Sequence, residues 1–483
     1  MNLPAQFSSL LPQHVWGHFA TLCAIPRASK KEARLRDHIR QWASTQGILA
    51  AVDEAGNLLL TKAASSGYEA APGVVLQAHL DMVCQKNAAS EHDFSCDAIR
   101  PVLRDGWLVA EETTLGADNG IGVALMLAAL EDRTLAHGPL EVLLTVDEEA
   151  GMGGARGLAA DWLQGRRMLN LDTEAWGEFY LGCAGGMDVN VGSVGHPMPA
   201  PADMYPCCLV LEGLRGGHSG VDIHEGRGNA IKLLVRVLQM LGLPFELSVL
   251  NGGTARNALP REAMAVLMLS ATALQALPTR VAQIEAILRT ELAGVDDGLQ
   301  LRVASADAEQ VLSAVDREKW LKLLHAAPHG VWRMSSRLPG VVETSNNLGM
   351  VSLTPVAGEC NFMVRSLADS AAEALADEIV SLCALAGVDA EIAGAYPGWL
   401  PNPSSPLLQR CQAVFAREFS AASSVRVIHA GLECGIIGAR YPGMDIVSFG
   451  PTIRGAHAPG EAVEVASVAR CWKLLTAILA DLR

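Results

Sequence analysis

At 483 residues with 50% hydrophobic content, the chain is long enough for two or three domains with real cores, so disorder is not its default. Its 37 basic and 52 acidic residues leave a formal charge of -15, which argues against nucleic acid or an anionic membrane as a partner. The 11 cysteines are odd in number, lack any C-x-x-C spacing, and read as reduced, mostly buried thiols.

The opening segment MNLPAQFSSLLPQHVWGHF shows no basic start followed by an apolar run and a small-residue cleavage site. No apolar stretch reaches the length of a membrane span. A soluble, cytoplasmic protein is therefore expected.

Residues 73–78 (GVVLQA), 140–146 (LEVLLTV) and 168–171 (MLNL) are short apolar runs, the pattern of strands buried on both faces. Residues 31–45 and 120–131 carry apolar positions at three- and four-residue spacing and read as helices. This alternation predicts an α/β domain with a mostly parallel sheet, whose ligand site lies at the carboxyl ends of the strands.

From about residue 187 the texture becomes α+β. Strands are expected at 207–214, 245–250 and 263–269, with helices at 229–241 and 278–292. A second unit follows, with strands at 330–334, 349–354 and 359–367 and a helix at 370–386. Loops 256–260 (RNALP) and 345–349 (SNNLG) take similar places in the two units, hinting at an internal duplication. After the proline- and glycine-rich segment 396–403 the α/β texture returns. The simplest division is a catalytic domain in two parts, 1–186 and 399–483, split by an inserted α+β lid domain, 187–398.

Five segments carry candidate chemistry. His79 and Asp81 end a buried strand, and spacing two puts both on one side of it. Asp118, in the turn LGADNGIG, offers two oxygens that could bridge two cations, or it could simply cap the helix that follows. Residues 147–149 (DEE) close a strand; such crowded carboxylates need a cation or solvent, and an exposed acidic turn is the alternative. Asp172 lies just past a strand, and His457 sits in the loop GAHAPGE.

Together, His79, Asp118, Glu149, Asp172 and His457 form a mixed imidazole and carboxylate set that suits zinc, with manganese or cobalt as substitutes. A pair of such ions activates a water and polarises a carbonyl, which would leave Glu148 as general base.

The ordered motifs QAHLDMV, TLGADNGIG, TVDEEAGMGGA, LNLDTE, RGGHSGVDIHEGRGNAI, HAGLECG and GAHAPGE resemble those of the aminoacyl-histidine dipeptidases, the peptidase D group of the zinc aminoacylase and carboxypeptidase superfamily. The resemblance runs essentially the whole length. It implies two zinc ions per chain, one held by His79 and Asp172, the other by Glu149 and His457, with Asp118 on both. It further implies that Asp81 orients His79 and that Glu148 moves the proton. In the lid it assigns His218 to the developing oxyanion, and Asn257 and Arg365 to the substrate carboxylate. It implies a lid hinged near residues 185–186 and 397–398, a homodimer formed through the lid, and Xaa-His dipeptides such as β-alanyl-histidine as substrates.

Glu433, in the glycine-rich segment HAGLECG, is expected to read the substrate's ammonium group, with an ordinary surface loop as the alternative. Aminoacylase, carboxypeptidase or tripeptidase activity on the same metal core is the competing enzymatic reading. A catalytically silent metal-binding protein is the competing reading from another class.

Overall fold

The computed structural model describes residues 5–483. The chain forms two compact units, one of residues 1–182, 401–427 and 432–483, the other of residues 183–400 and 428–431. The divisions fall near 182 and 400 rather than 186 and 398. The C-terminal part is itself interrupted, because residues 428–431 belong to the second unit. Among the described residues, no helix is long and apolar enough to cross a membrane.

The first unit is built on an eight-stranded sheet. At its centre Leu140–Thr145, Val74–His79, Arg167–Asn170 and Asp445–Ser448 lie side by side and parallel. Val74–His79 and Leu140–Thr145 are buried along their whole length, as continuous apolar runs require. The hairpin Leu49–Val52 and Leu58–Lys62 extends one side antiparallel, pairing with Leu140–Thr145. Helix Ala117–Glu131 packs on Val74–His79 and on helix Gln13–Ala24. It is apolar nearly all round and nearly all buried, so it is an interior helix rather than an amphipathic one. A smaller four-stranded sheet contains the hairpin Ile453–Arg454 and Ala462–Glu464, and the turn of that hairpin carries His457.

The second unit is built on a nine-stranded sheet of antiparallel pairings, in which Ala357–Ser366 pairs along its whole length with Gly185–Val194 and on its other side with Val342–Leu353. Helices Ala230–Met240, Ala271–Glu291, Ala314–Ala326 and Asp369–Ala386 supply apolar residues to one buried core with the sheet. Asn229 starts Ala230–Met240, its side chain accepting the N–H groups of Ile231 and Lys232. The helix expected to begin at Pro278 begins at Ala271 and holds Pro278 inside it. Ser270 sets that start by accepting the N–H of Ala273.

The two loops offered as a sign of duplication differ in structure. Residues 345–349 lie within strand Val342–Leu353, whereas Asn257 precedes the two-residue strand Ala258–Leu259. At the ends of the second unit, Cys183 and Trp399 exchange backbone hydrogen bonds at 3.1 and 2.9 Å. Gly185 and Gly398 pack backbone to backbone there; a Cβ on Gly185 would stand 2.4 Å from the amide nitrogen of Gly398.

Candidate metal centre and active site

His79, Asp118, Glu149, Asp172 and His457 all lie in the first unit and converge. Each reaches the site from a strand end or a turn: His79 ends its strand, Asp172 follows Arg167–Asn170, and Glu149 follows Leu140–Thr145. Asp118 Oδ1 is 3.2 Å from His79 Nε2, and Asp118 Oδ2 is 3.2 Å from His457 Nε2. Asp172 joins the first oxygen's side, 3.4 Å from His79 Nε2, and Glu149 joins the second, 3.1 Å from His457 Nε2. Among the described residues three clusters result, His79–Asp118–Asp172, Asp118–Glu149–His457 and His79–Glu148–Glu149, each with ligand atoms within 4.8 Å of one another. Asp118 is common to the first two.

The helix-capping alternative for Asp118 fails. No side chain caps this helix start, and both Asp118 oxygens face imidazoles instead. The N–H groups of the turn go instead to Glu461. Its Oε2 accepts from Leu115 at 2.7 Å and Gly116 at 2.8 Å, and its Oε1 from Ala117 at 2.8 Å and Asp118 at 3.2 Å. A carboxylate gathering successive amides fixes the turn from below. Arg27, 2% exposed, ties the same turn to the His79 strand by donating to the carbonyls of Leu80, Asp81 and Gly116.

Asp81 does more than face His79. Its Oδ1 is 3.3 Å from His79 Nδ1 and accepts the Glu148 N–H at 3.0 Å. Its Oδ2 accepts the Glu149 N–H at 3.1 Å and the Ser29 hydroxyl at 2.7 Å. One buried carboxylate thus sets both an imidazole and the acidic turn. Burial alone would raise the Asp81 carboxyl, but His79, Ser29 and the Glu148 N–H together bring it down to about 2.

The protein groups alone leave the site over-supplied with negative charge. Burial pushes the Asp172 carboxyl up to about 6 against the pull of His79, and pushes Glu148 well above the usual carboxylate range. Asp118 and Glu149 together push the His457 imidazole up to about 11. The Glu149 Oε1 atom is buried with no hydrogen-bond partner among the described residues. Crowded carboxylates, a bridging aspartate and an orphaned oxygen are what two divalent cations would satisfy, so the donor set fits such a pair.

Glu433 is not a loop carboxylate facing substrate. It opens helix Glu433–Arg440, is wholly buried, and accepts hydrogen bonds from Gln77 at 2.7 Å and Thr145 at 2.6 Å. Burial pushes its carboxyl up to about 7.

His218, Asn257 and Arg365 lie in the second unit. His218 pairs with Ala258, next to Asn257, and the carbonyl of Asn257 accepts the Ser219 N–H at 2.8 Å. His218 Nδ1 accepts from the N–H groups of Gly220 at 3.1 Å and Val221 at 3.0 Å, so the proton of the neutral ring is on Nε2. Burial, then Arg365, brings this imidazole down to about 4, which keeps it neutral. Arg365 is buried, donates to the Tyr396 hydroxyl at 2.8 Å, and has no partner for Nε among the described residues.

Sequence reasoning missed Arg27, Glu461, Ser29 and Asn119. Glu461 stood inside a quoted motif, four residues after His457, and was given no part. Arg27 carried no local signal at all.

The chain is 45% identical over 481 residues to the cytosol non-specific dipeptidase of Escherichia coli, covering 99% of each sequence. It matches the crystal structure of aminoacylhistidine dipeptidase from Vibrio alginolyticus with a TM-score of 0.90 and 42% identity, covering 99% of this chain and 98% of that one. Aminopeptidase PepT from Bacillus cereus shares the fold at 16% identity and a TM-score of 0.57, covering 98% and 99%. The family match, to peptidase family M20/M25/M40, spans residues 75–481, and the chain belongs to that family.

Proposed function

We propose that this protein is a dipeptidase with a dinuclear metal centre and a preference for Xaa-His dipeptides such as β-alanyl-histidine. The observation that carries the reading is the division of Asp118 between His79 and His457, one oxygen to each at 3.2 Å. The names of the E. coli and V. alginolyticus relatives support dipeptides, and the second supports histidine in the leaving position.

His79 and Asp172 would hold one ion, His457 and Glu149 the other, and Asp118 both. Mixed imidazole and carboxylate ligation favours two zinc ions, with manganese or cobalt able to substitute. When bound, such ions polarise the scissile carbonyl and make a water acidic enough to attack it. Glu148 takes the proton of the attacking water and delivers it to the leaving amine nitrogen. Asp81 holds the His79 proton on Nδ1 and leaves Nε2 free to ligate. His218 offers its Nε2–H to the carbonyl oxygen as negative charge grows there. Arg365, whose Nε is unsatisfied, and Asn257 take the substrate's carboxylate.

The reading also includes a homodimer formed through the second unit and a cytoplasmic location, the latter supported by the name of the E. coli relative. Sedimentation of the purified protein and fractionation of cells test these two points.

The central test strips the protein of metal, restores it, and measures metal content beside hydrolysis of Xaa-His dipeptides, other dipeptides, tripeptides and N-acyl amino acids. Metal-restored activity highest on Xaa-His is expected. Activity confined to N-acyl amino acids, or none that metal restores, overturns the reading.

A further inference from the structure

Beneath the ligands, four adjacent parallel strands each place one polar side chain in a single buried band. Thr145 comes from Leu140–Thr145, Gln77 from Val74–His79, Asn170 from Arg167–Asn170 and Ser448 from Asp445–Ser448. Gln77 and Asn170 are register partners, as are Asn170 and Ser448. All four residues are at most 1% exposed. Glu433 joins them from the start of its helix.

The hydrogen bonds run in one direction. Ser448 donates to Asn170 Oδ1, and Asn170 Nδ2 donates to Gln77 Oε1 at 2.6 Å. Gln77 Nε2 donates to Glu433 Oε2 at 2.7 Å, and the Thr145 hydroxyl donates to the same oxygen at 2.6 Å. Glu433 is therefore the terminal acceptor that orients both amides. Polar groups buried this deeply in a sheet are costly, and Glu433 Oε1 has no hydrogen-bond partner among the described residues, so their placement calls for a reason.

That reason lies one step along each strand. Gln77 is two residues before His79, Asn170 two before Asp172, and Thr145 three before Glu148. Alternation along a strand puts Gln77 on the same side as His79, and Thr145 is the register partner of His79, so the network lies at and just behind the layer of ligands. Strand ends are where pairing stops and where register is least constrained by the ladder. A hydrogen-bonded crossbar at that level fixes the three ends against one another.

We propose that Glu433 is a positioning residue for the metal centre: through Gln77, Asn170 and Thr145 it sets the relative positions of the strand ends that carry His79, Asp172 and the Glu148–Glu149 turn. It touches neither substrate nor reacting atoms. The inference rests on the two-cation reading above.

The test is a zinc titration of the metal-free protein against a chromophoric chelator, with kcat, KM and thermal stability measured alongside. In Glu433→Leu the zinc affinity is expected to fall about 10- to 100-fold, with kcat falling while KM stays within about twofold. Glu433→Gln can still place an oxygen toward Gln77 and Thr145, so it is expected to recover most of the loss. If Glu433→Leu does not fold, Thr145→Val against Thr145→Ser asks the same question, because only the serine keeps the donor.

Lower thermal stability with wild-type zinc affinity would show a merely structural role and overturn the inference. So would a rise in KM for free dipeptides at constant kcat. If the wild-type chain binds zinc and these variants bind it equally, this inference alone fails. A wild-type chain that binds no metal overturns both.

Discussion

Glu461 Oε1 accepts the backbone N–H of Asp118 at 3.2 Å across a sequence separation of 343 residues. The residue that divides its oxygens between two histidines is thus held by a carboxylate from the same hairpin turn that carries His457.

Replacing Glu461 by Gln keeps the shape but turns one acceptor oxygen into a donor facing two N–H groups. Metal affinity is expected to fall about 10- to 100-fold, as for other residues that hold ligands in place. Chelator competition and metal analysis of the purified variant measure this. Full retention of metal would show that the turn holds itself.

Glu148→Gln is expected to lower kcat about 100- to 10,000-fold, the range for loss of a general base, while the metal content stays that of the wild type. Glu148 stands in neither of the two clusters that share Asp118, although its carboxylate lies within 4.8 Å of ligand atoms of His79 and Glu149. Loss of metal together with activity would reassign it as a ligand.

Gly122 allows the contact that steadies Asp172. A Cβ there would lie 2.1 Å from Asn119 Oδ1 and 2.5 Å from the Leu171 carbonyl. Asn119 Nδ2 donates to that carbonyl at 2.8 Å and to Asp172 Oδ1. Gly122→Ala must therefore displace Asn119, at a cost of about 1–3 kcal/mol for overpacking. A lower melting temperature together with weaker zinc binding is expected. Unchanged zinc binding would exclude Asn119 from the support of Asp172.

The second unit contains imidazoles that resist protonation. Burial, then Lys232, brings His329 down to about 4, and burial, then Arg365, brings His429 down to about 3. In the unfolded chain both take a proton near pH 6.5, so between that value and the folded values the unfolded state binds more protons. Their contribution to stability is complete above about pH 6.5 and is lost as the pH falls, at up to about 1.4 kcal/mol per pH unit for each ring. Thermal unfolding from about pH 7.5 to about pH 4.5 is expected to show a shallower decline for His329→Gln than for the wild type. Equal slopes would mean that His329 titrates normally.

Much of the fold was legible because the central strands are mostly apolar and the proposed ligands sit at or just past their ends. Residues 345–349 read as a loop because serine and asparagines rarely fill a strand interior. They do so here because Asn346 and Asn347 spend their amides on the carbonyls of Pro328, Arg256 and Ala258. Pro278 read as a helix start because propensity favours proline in the first turn, yet the cap at Ser270 decided the boundary. Glu433 read as a loop residue for its neighbouring glycines, and nothing local revealed that Gln77 and Thr145 would face it. Residues acting through partners hundreds of positions away, such as Arg27 and Glu461, have no periodicity or spacing to betray them.

The interrupted order of the first unit has a consequence during synthesis. When residue 431 is joined to the growing chain, His79, Asp118, Glu148, Glu149 and Asp172 have all been made. His457, the Glu461 cradle and the strand Asp445–Ser448 have not. A growing chain thus holds only part of the proposed ligand set, and the second cluster around Asp118 cannot assemble until the final segment arrives.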